Sequence, residues 1–219
     1  MTVTAVVFDF DYTLTVPDRP RQEVLDDATE AVGAPRIDRA TYLDVHADYL
    51  DVESRTPIFA DILDAADSDA DPAALAEAYR EALGDALAPV EGVPGLLADL
   101  RERYRLGLLT NGSTRAQRSK LEAFEWVDAF DATVVTGELD AGKPDERAFA
   151  AILDELGVAP ERAVYVGDDP EADVHGAQAA GMAAIQVVFD GGPDPAPAAD
   201  AHVERDRLAA ELPGLLESL

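Results

Sequence analysis

The sequence predicts an α/β protein built on a parallel sheet, with an all-helical segment inserted near its start. Three observations lead there. Residues 3–8, "VTAVVF", are a short, β-branched and almost wholly apolar run, as a strand buried on both faces requires. From about residue 92 onward, helical stretches alternate with short apolar runs, which is the pattern of right-handed βαβ units. Between these two regions lies a long stretch with no convincing strand.

That stretch reads as four helices: 21–34 "RQEVLDDATEAVGA", 39–52 "RATYLDVHADYLDV", 57–66 "PIFADILDAA" and 71–87 "DPAALAEAYREALGDAL". In the last, Leu75, Tyr79, Leu83 and Leu87 recur every four residues, Asp71 is placed to cap and Pro72 suits the first turn. The alternating region gives helices at 93–103, 113–124, 143–157 and 170–181, and strands at 105–110, 132–137, 162–168 and 183–189. A Pro/Gly/Asp loop follows at 190–200, then a closing helix near 205–219. The expected organisation is a Rossmann-like α/β core of residues 1–16 and 91–219, with helices on both faces of the sheet, and a helical insertion of residues 17–90.

Composition narrows the function classes. With 47% hydrophobic residues over 219 positions, the chain is able to bury a proper core. Its formal charge of −28, from 45 acids against 17 bases, repels nucleic acid and anionic lipid alike, so neither is an expected partner. The acids are scattered at helical spacing rather than gathered in a tail, and resemble the solvated faces of proteins that work in concentrated internal salt. At about 1 M salt the Debye length is only ~3 Å, which screens most of this self-repulsion. The midpoint of a thermal melt is therefore expected to rise from dilute buffer to multimolar KCl; an unchanged midpoint would count against this reading. There are no cysteines, which removes disulfides, thiolate catalysis and cysteine metal sites. The start "MTVTAVVFDF" lacks a basic region and no apolar run approaches ~20 residues, so the expected location is the cytoplasm, as a monomer or homodimer.

In an open parallel sheet, ligands bind outside the carboxyl ends of the strands, and four predicted ends carry polar residues. At the first, "DFDYT", Asp9 and Asp11 share a face if the chain stays extended, a spacing suited to a hard divalent cation or to divided nucleophile and acid/base roles. In isolation the same letters also describe a turn in which Asp11 or Thr13 satisfies backbone donors. At the second, Thr110, Asn111 and Gly112 precede a helix and would suit an anion, or form an ordinary capped loop. At the third, Pro144 is read as the first helical residue, which places Lys143 at the cap, beside the positive end of the helix dipole. A cation is disfavoured there unless an anion shares the site; the alternative is a surface lysine paired with Glu138 or Asp140. At the fourth, "GDDPEAD", Asp168 lies nearest the strand end, Asp169 before Pro170 makes a good cap, and Asp173 falls in the first turn. Three crowded acids repel unless a cation neutralises them. Lys120, the only other lysine, reads as a surface residue beside Arg118.

In order and position these stretches resemble the motifs of the haloacid dehalogenase superfamily of phosphohydrolases. "DFDYT" is similar to motif I, "TNG" to motif II, "KP" to motif III and "GDDPEAD" to motif IV, and the helical insertion sits where that family places its C1 cap. The resemblance implies a Mg²⁺-dependent phosphatase acting on a small phosphorylated metabolite. Asp9 would be the nucleophile and Asp11 the acid/base. Asp9, the Asp11 carbonyl and Asp168 would hold the metal, supported by Asp173 or Asp169 and by Thr13, while Thr110, Asn111 and Lys143 would bind the phosphoryl group. Dehalogenases of the superfamily lack the second acid, so Asp11 favours phosphoryl transfer; phosphomutases share all four motifs, and a non-catalytic binding protein would be expected to lack Asp9 or Lys143. Arg19, Arg21, Arg55 and Tyr12 are the candidates for substrate recognition. Lys143→Ala is expected to cost far more activity than Lys120→Ala, with little change in fold.

Overall fold

The computed structural model describes residues 2–47, 49 and 54–219. In chain order the elements are β1 (Ala5–Phe8), β2 (Thr15–Pro17), α1 (Arg21–Val32), α2 (Arg39–His46), α3 (Thr56–Ala65), α4 (Pro72–Asp85), β3 (Leu87–Pro89) and α5 (Val93–Arg101). There follow β4 (Arg105–Thr110), α6 (Thr114–Ala123), β5 (Ala132–Val135), α7 (Glu146–Leu156), β6 (Ala163–Gly167), α8 (Gly176–Ala179), β7 (Ala183–Val188), β8 (Ala201–Glu204) and α9 (Leu208–Ser218).

The chain divides into two units, Met1–Val16 with Pro89–Leu219, and Pro17–Ala88. In the first, six parallel strands form one sheet in the order β5-β4-β1-β6-β7-β8, with β1 hydrogen-bonded between β4 and β6. All four β1 residues are completely buried, because alternate side chains enter two cores. Val6 and Phe8 join Leu97, Leu121 and Leu212 of α5, α6 and α9, whereas Ala5 and Val7 join Phe149, Ile152 and Ala177 of α7 and α8. Each fully buried Val or Phe contributes about 1.5–3 kcal/mol, so the central strand is firmly held and its carboxyl end, at Asp9, is a rigid platform.

In the second unit α4 packs on α1 and α3, as the four-residue periodicity predicts. Leu75, Tyr79 and Leu83 of α4 bury against Leu25, Ile58 and Phe59. Leu87, the fourth member of that series, instead lies in β3, because α4 ends at Asp85. The expected continuation of α2 to residue 52 falls partly outside the described residues.

Three further features differ from the sequence reading. β2 and β3 are three-residue strands, each ending in proline, that pair with each other; such a pair is too short to register as an alternating pattern. β8 is an edge strand with only Val203 buried, so its polar composition masked it. The third is the start of α7, at Glu146 and not at Pro144: Asp145 is the cap, its side chain accepting from the Arg147 N–H. Among the described residues, no helix is long and apolar enough to cross a membrane.

Candidate active site

Lys143 is neither a helix cap nor a surface cation. It precedes Pro144 across a cis peptide bond, and its side chain is buried. The amide of Asn111, just past β4, fixes the loop from both sides: its Oδ1 accepts from the Lys143 N–H at 2.9 Å and its Nδ2 donates to the Lys143 carbonyl at 3.1 Å. The ammonium then donates to Asp9 Oδ1 at 2.6 Å, Asp173 Oδ1 at 2.6 Å and Tyr165 Oη at 2.8 Å. An ammonium has three donors, and all three are engaged. Tyr165, in β6, in turn donates a hydrogen bond from its hydroxyl to the Leu109 carbonyl at 2.8 Å. Nothing in its local sequence marks it out, since a tyrosine in an apolar strand reads as core.

The acid cluster of the fourth strand end is assembled as a nested turn. Asp169 caps a wide helical turn, Pro170–His175, by accepting from the Glu171 and Ala172 N–H groups, and its own N–H donates to Asp173 Oδ2 at 2.9 Å. Asp173 is thereby turned inward and buried. It comes so close to Gly167 that a Cβ there would lie 2.4 Å from Asp173 Oδ2, which requires glycine at the end of β6. Asp168 is half-buried, its Oδ1 accepting from Thr13 Oγ1 at 3.3 Å. Thr110 is buried at the end of β4.

Asp9, Asp168 and Asp173 each present one carboxylate oxygen within 4.8 Å of the others. Burial pushes the Asp9 carboxyl up to about 7, with Asp173 and Asp11 adding to the rise and Lys143 opposing it. Burial likewise pushes Asp168 up to about 8, reinforced by Asp9 and Asp173. For Lys143, burial alone would lower its affinity for the proton, but Asp173 and Asp9 outweigh it and hold the ammonium charged. When all three acids are ionised, three carboxylates against one ammonium leave an excess of two negative charges on hard oxygen donors, and this donor set fits a divalent cation such as Mg²⁺.

That excess has a measurable consequence. Asp9 and Asp168 bind protons more tightly folded than unfolded, so their contribution to stability is greatest below the unfolded value near 4 and is lost as pH rises through about 7 to 8. A bound divalent cation removes the penalty. Added Mg²⁺ at constant multimolar KCl is expected to raise the melting temperature by on the order of 5–10 °C at pH 8 and by much less at pH 5. Asp168→Asn should abolish the difference, and an equal effect at both pH values would contradict the assignment.

Asp11 does not join this group. The chain reverses just beyond it, with Tyr12 in the left-handed region at φ 64° and its N–H donating to the Thr15 carbonyl. Asp11 and Asp9 therefore do not share a cation face as an extended chain would have them. Both Asp11 oxygens accept from Lys120 Nζ, at 2.8 and 2.6 Å, and Oδ2 also accepts from Gln117 Nε2 at 3.0 Å. The expectation that Lys120 is a surface residue is thus corrected: it lies on the inward face of α6, mostly buried, with Gln117 one turn before it. The scarcity of lysine was the available signal. The chain has two lysines, and each binds one carboxylate of "DFD".

Of the remaining candidates, Tyr12 stacks on Phe189, over which Arg205 lies with its Cζ 3.8 Å from the ring centroid. Arg19 pairs with Asp27. Arg55 donates to Tyr42 Oη and lies over the Tyr79 ring, within the helical unit.

Comparison with known proteins gives the geometry a family. Residues 6–187 match the haloacid dehalogenase-like hydrolases. The chain belongs to this family. It is 30% identical over 195 residues to a glyceraldehyde 3-phosphate phosphatase of Methanopyrus kandleri, covering 84% of each chain. It is 46% identical over 92 residues to a phosphoserine phosphatase of Thermus thermophilus, a match covering 42% of this chain and 37% of that protein. Several curated relatives are matched over only about a third to a half of their length. A crystal structure of a haloacid dehalogenase-type phosphatase from Thermococcus onnurineus superposes with a TM-score of 0.71 at 26% identity, covering 98% of both chains. The α/β fold of the chain matches that of the family.

Proposed function

We propose that this hydrolase is a Mg²⁺-dependent phosphomonoesterase that works through an aspartyl-phosphate on Asp9 and acts on a small phosphorylated metabolite. The observation that carries this reading is the convergence of Asp9, Asp168 and Asp173 at the carboxyl end of the sheet, with Lys143 bridging Asp9 and Asp173 and with Asp11 held apart by its own cation. An Asp9 oxygen attacks phosphorus; the bond from phosphorus to the leaving oxygen breaks, and Asp11 supplies the proton that oxygen needs. In the second half-reaction Asp11 takes a proton from the water that attacks the phosphoryl group, and Asp9 is released. Lys143 holds the nucleophile in place, and its charge lies beside the carboxylate that receives the phosphoryl group. Thr110 and the backbone around Asn111 are assigned to the phosphoryl oxygens. Asp9, Asp168 and the Asp11 carbonyl would hold Mg²⁺, with Asp173, Asp169 and Thr13 supporting; the ion would supply charge neutralisation at the phosphoryl oxygens.

The second carboxylate favours phosphoryl transfer over cleavage of a carbon–halogen bond, and the phosphatases named above favour the same choice. Residues 17–90 are assigned the role of a cap that sets substrate preference. In that unit, Arg39 and Arg55 lie over Tyr42 and Tyr79 and, among the described residues, form no ion pair with a carboxylate, which leaves donors for an anionic substrate group. The charge pattern assigns the protein to a high-salt cytoplasm, as a monomer or homodimer. The direct test is a panel of sugar phosphates, phosphoglycolate, nucleoside monophosphates and p-nitrophenyl phosphate, assayed with Mg²⁺ in multimolar KCl. Hydrolysis that disappears in Asp9→Asn supports the reading, whereas hydrolysis unchanged in that variant rejects it.

A further inference from the structure

We propose that Lys120, aided by Gln117, is a positioning residue that holds the Asp11 carboxyl group where the leaving oxygen departs, and so sets which esters the enzyme can cleave. The inference rests on the phosphatase reading above and adds to it a residue that the motifs do not include.

The contacts are specific. Gln117 and Lys120 are three residues apart on α6, hence on one face, and α6 is anchored by Ser113, whose side chain accepts from the Ala116 N–H. Lys120 grips both oxygens of Asp11, and its ammonium lies 5.7 Å from the Phe10 ring centroid. Gln117 Nε2 divides its two protons between Asp11 Oδ2 and the Asn111 carbonyl, at 3.0 and 2.8 Å. Its Oε1 is buried and, among the described residues, has no hydrogen-bond partner. Turning the amide over would set that oxygen against two acceptors, so the orientation seen is the one that serves Asp11, at the cost of an unsatisfied acceptor. Three donor contacts from one rigid helix face confine a side chain that otherwise projects from a reversing loop. Gln117 also ties the site together, because Asn111, whose carbonyl it holds, is the residue that clamps the Lys143 backbone.

In the first half-reaction the Asp9–phosphorus bond forms, the bond from phosphorus to the leaving oxygen breaks, and the Asp11 proton moves to that oxygen. A nitrophenolate leaves without a proton, whereas an alkoxide does not. Misplacing Asp11 must therefore penalise alkyl esters selectively, and a well-placed acid is worth about 10²–10⁴ in rate.

The experiment compares kcat/KM for an alkyl phosphate from the panel with that for p-nitrophenyl phosphate. This parameter reports steps up to formation of the phosphoenzyme. It is measured for the wild type, Lys120→Met, Lys120→Arg and Gln117→Leu. The ratio of the two esters is internal to each preparation, so loss of folded protein cancels. Lys120→Met is expected to lower the alkyl-to-aryl ratio at least tenfold, Gln117→Leu to lower it less, and Lys120→Arg, which restores a two-point contact with the carboxylate, to recover part of it. An unchanged ratio, whether activity falls equally on both esters or not at all, overturns the positioning role while leaving the phosphatase reading intact. A wild type inactive on every ester rejects the phosphatase reading itself, and the inference with it.

Discussion

Asp9→Asn is expected to abolish turnover, by at least about 10⁴-fold, while leaving the protein as stable as the wild type or more so at pH 8. The two effects have separate causes. Activity is lost because an amide is no nucleophile toward phosphorus. Stability is kept because the fold already favours a neutral group at this position: burial raises the Asp9 carboxyl to about 7, so above that pH the wild type holds a charge there at a cost. The asparagine oxygen remains able to accept from Lys143, and the ammonium keeps Asp173 and Tyr165. Kinetics with the panel and thermal melts in the absence of divalent cation check both halves. Retained turnover would reject the nucleophile assignment, and a fall of several degrees at pH 8 would reject the electrostatic account.

Lys143→Met should have the opposite profile, losing activity and stability together. The sequence alone led to an expectation of little change in fold, which suits a cation at an exposed helix start. The structure revises it, because the side chain is 3% exposed and bridges two buried carboxylates. Removing one partner of a buried ion pair costs about 3–5 kcal/mol, since the remaining charges lose their compensation. For a chain of this size that corresponds to a fall of roughly 10 °C in melting temperature. The sign of the pH dependence follows: without Lys143, which opposes the rise at Asp9, the Asp9 carboxyl favours protonation still more, so the deficit relative to wild type should shrink as pH is lowered from 8 toward 5. A deficit that grows on acidification would show that Lys143 does not act by compensating these acids. Activity should fall by at least about 10²-fold, because the nucleophile loses the cation that holds it.

Much of this site was legible in the sequence because its parts lie at strand ends, and strands such as "VTAVVF" and "RAVYVGD" announce themselves by composition. What composition did not reveal was how side chains cross between those ends. Lys120 and Gln117 meet Asp11 across 109 and 106 residues of chain, and Tyr165 meets Lys143 across 22. Such pairings depend on the order β5-β4-β1-β6-β7-β8, which places α6 and the two flanking strands around the end of β1. Periodicity puts Gln117 and Lys120 on one helix face, yet only the packing of Leu121 into the core shows that this face turns inward. The start of α7 was misread because Pro144 offers a good first helical residue, and Asp145 offers a better cap. Isolation in a lysine-poor chain draws attention to Lys143, and it applies equally to Lys120.

The central claim, that Asp9 carries the phosphoryl group, is tested most directly by trapping it. The wild type is mixed with a ³²P-labelled substrate from the panel and Mg²⁺ in multimolar KCl, quenched in acid during the first turnover, and digested. The account predicts an acid-stable, base-labile label on the peptide that contains Asp9, and none in Asp9→Asn. Label on another peptide, or substrate turnover with no labelled protein at any quench time, would contradict it.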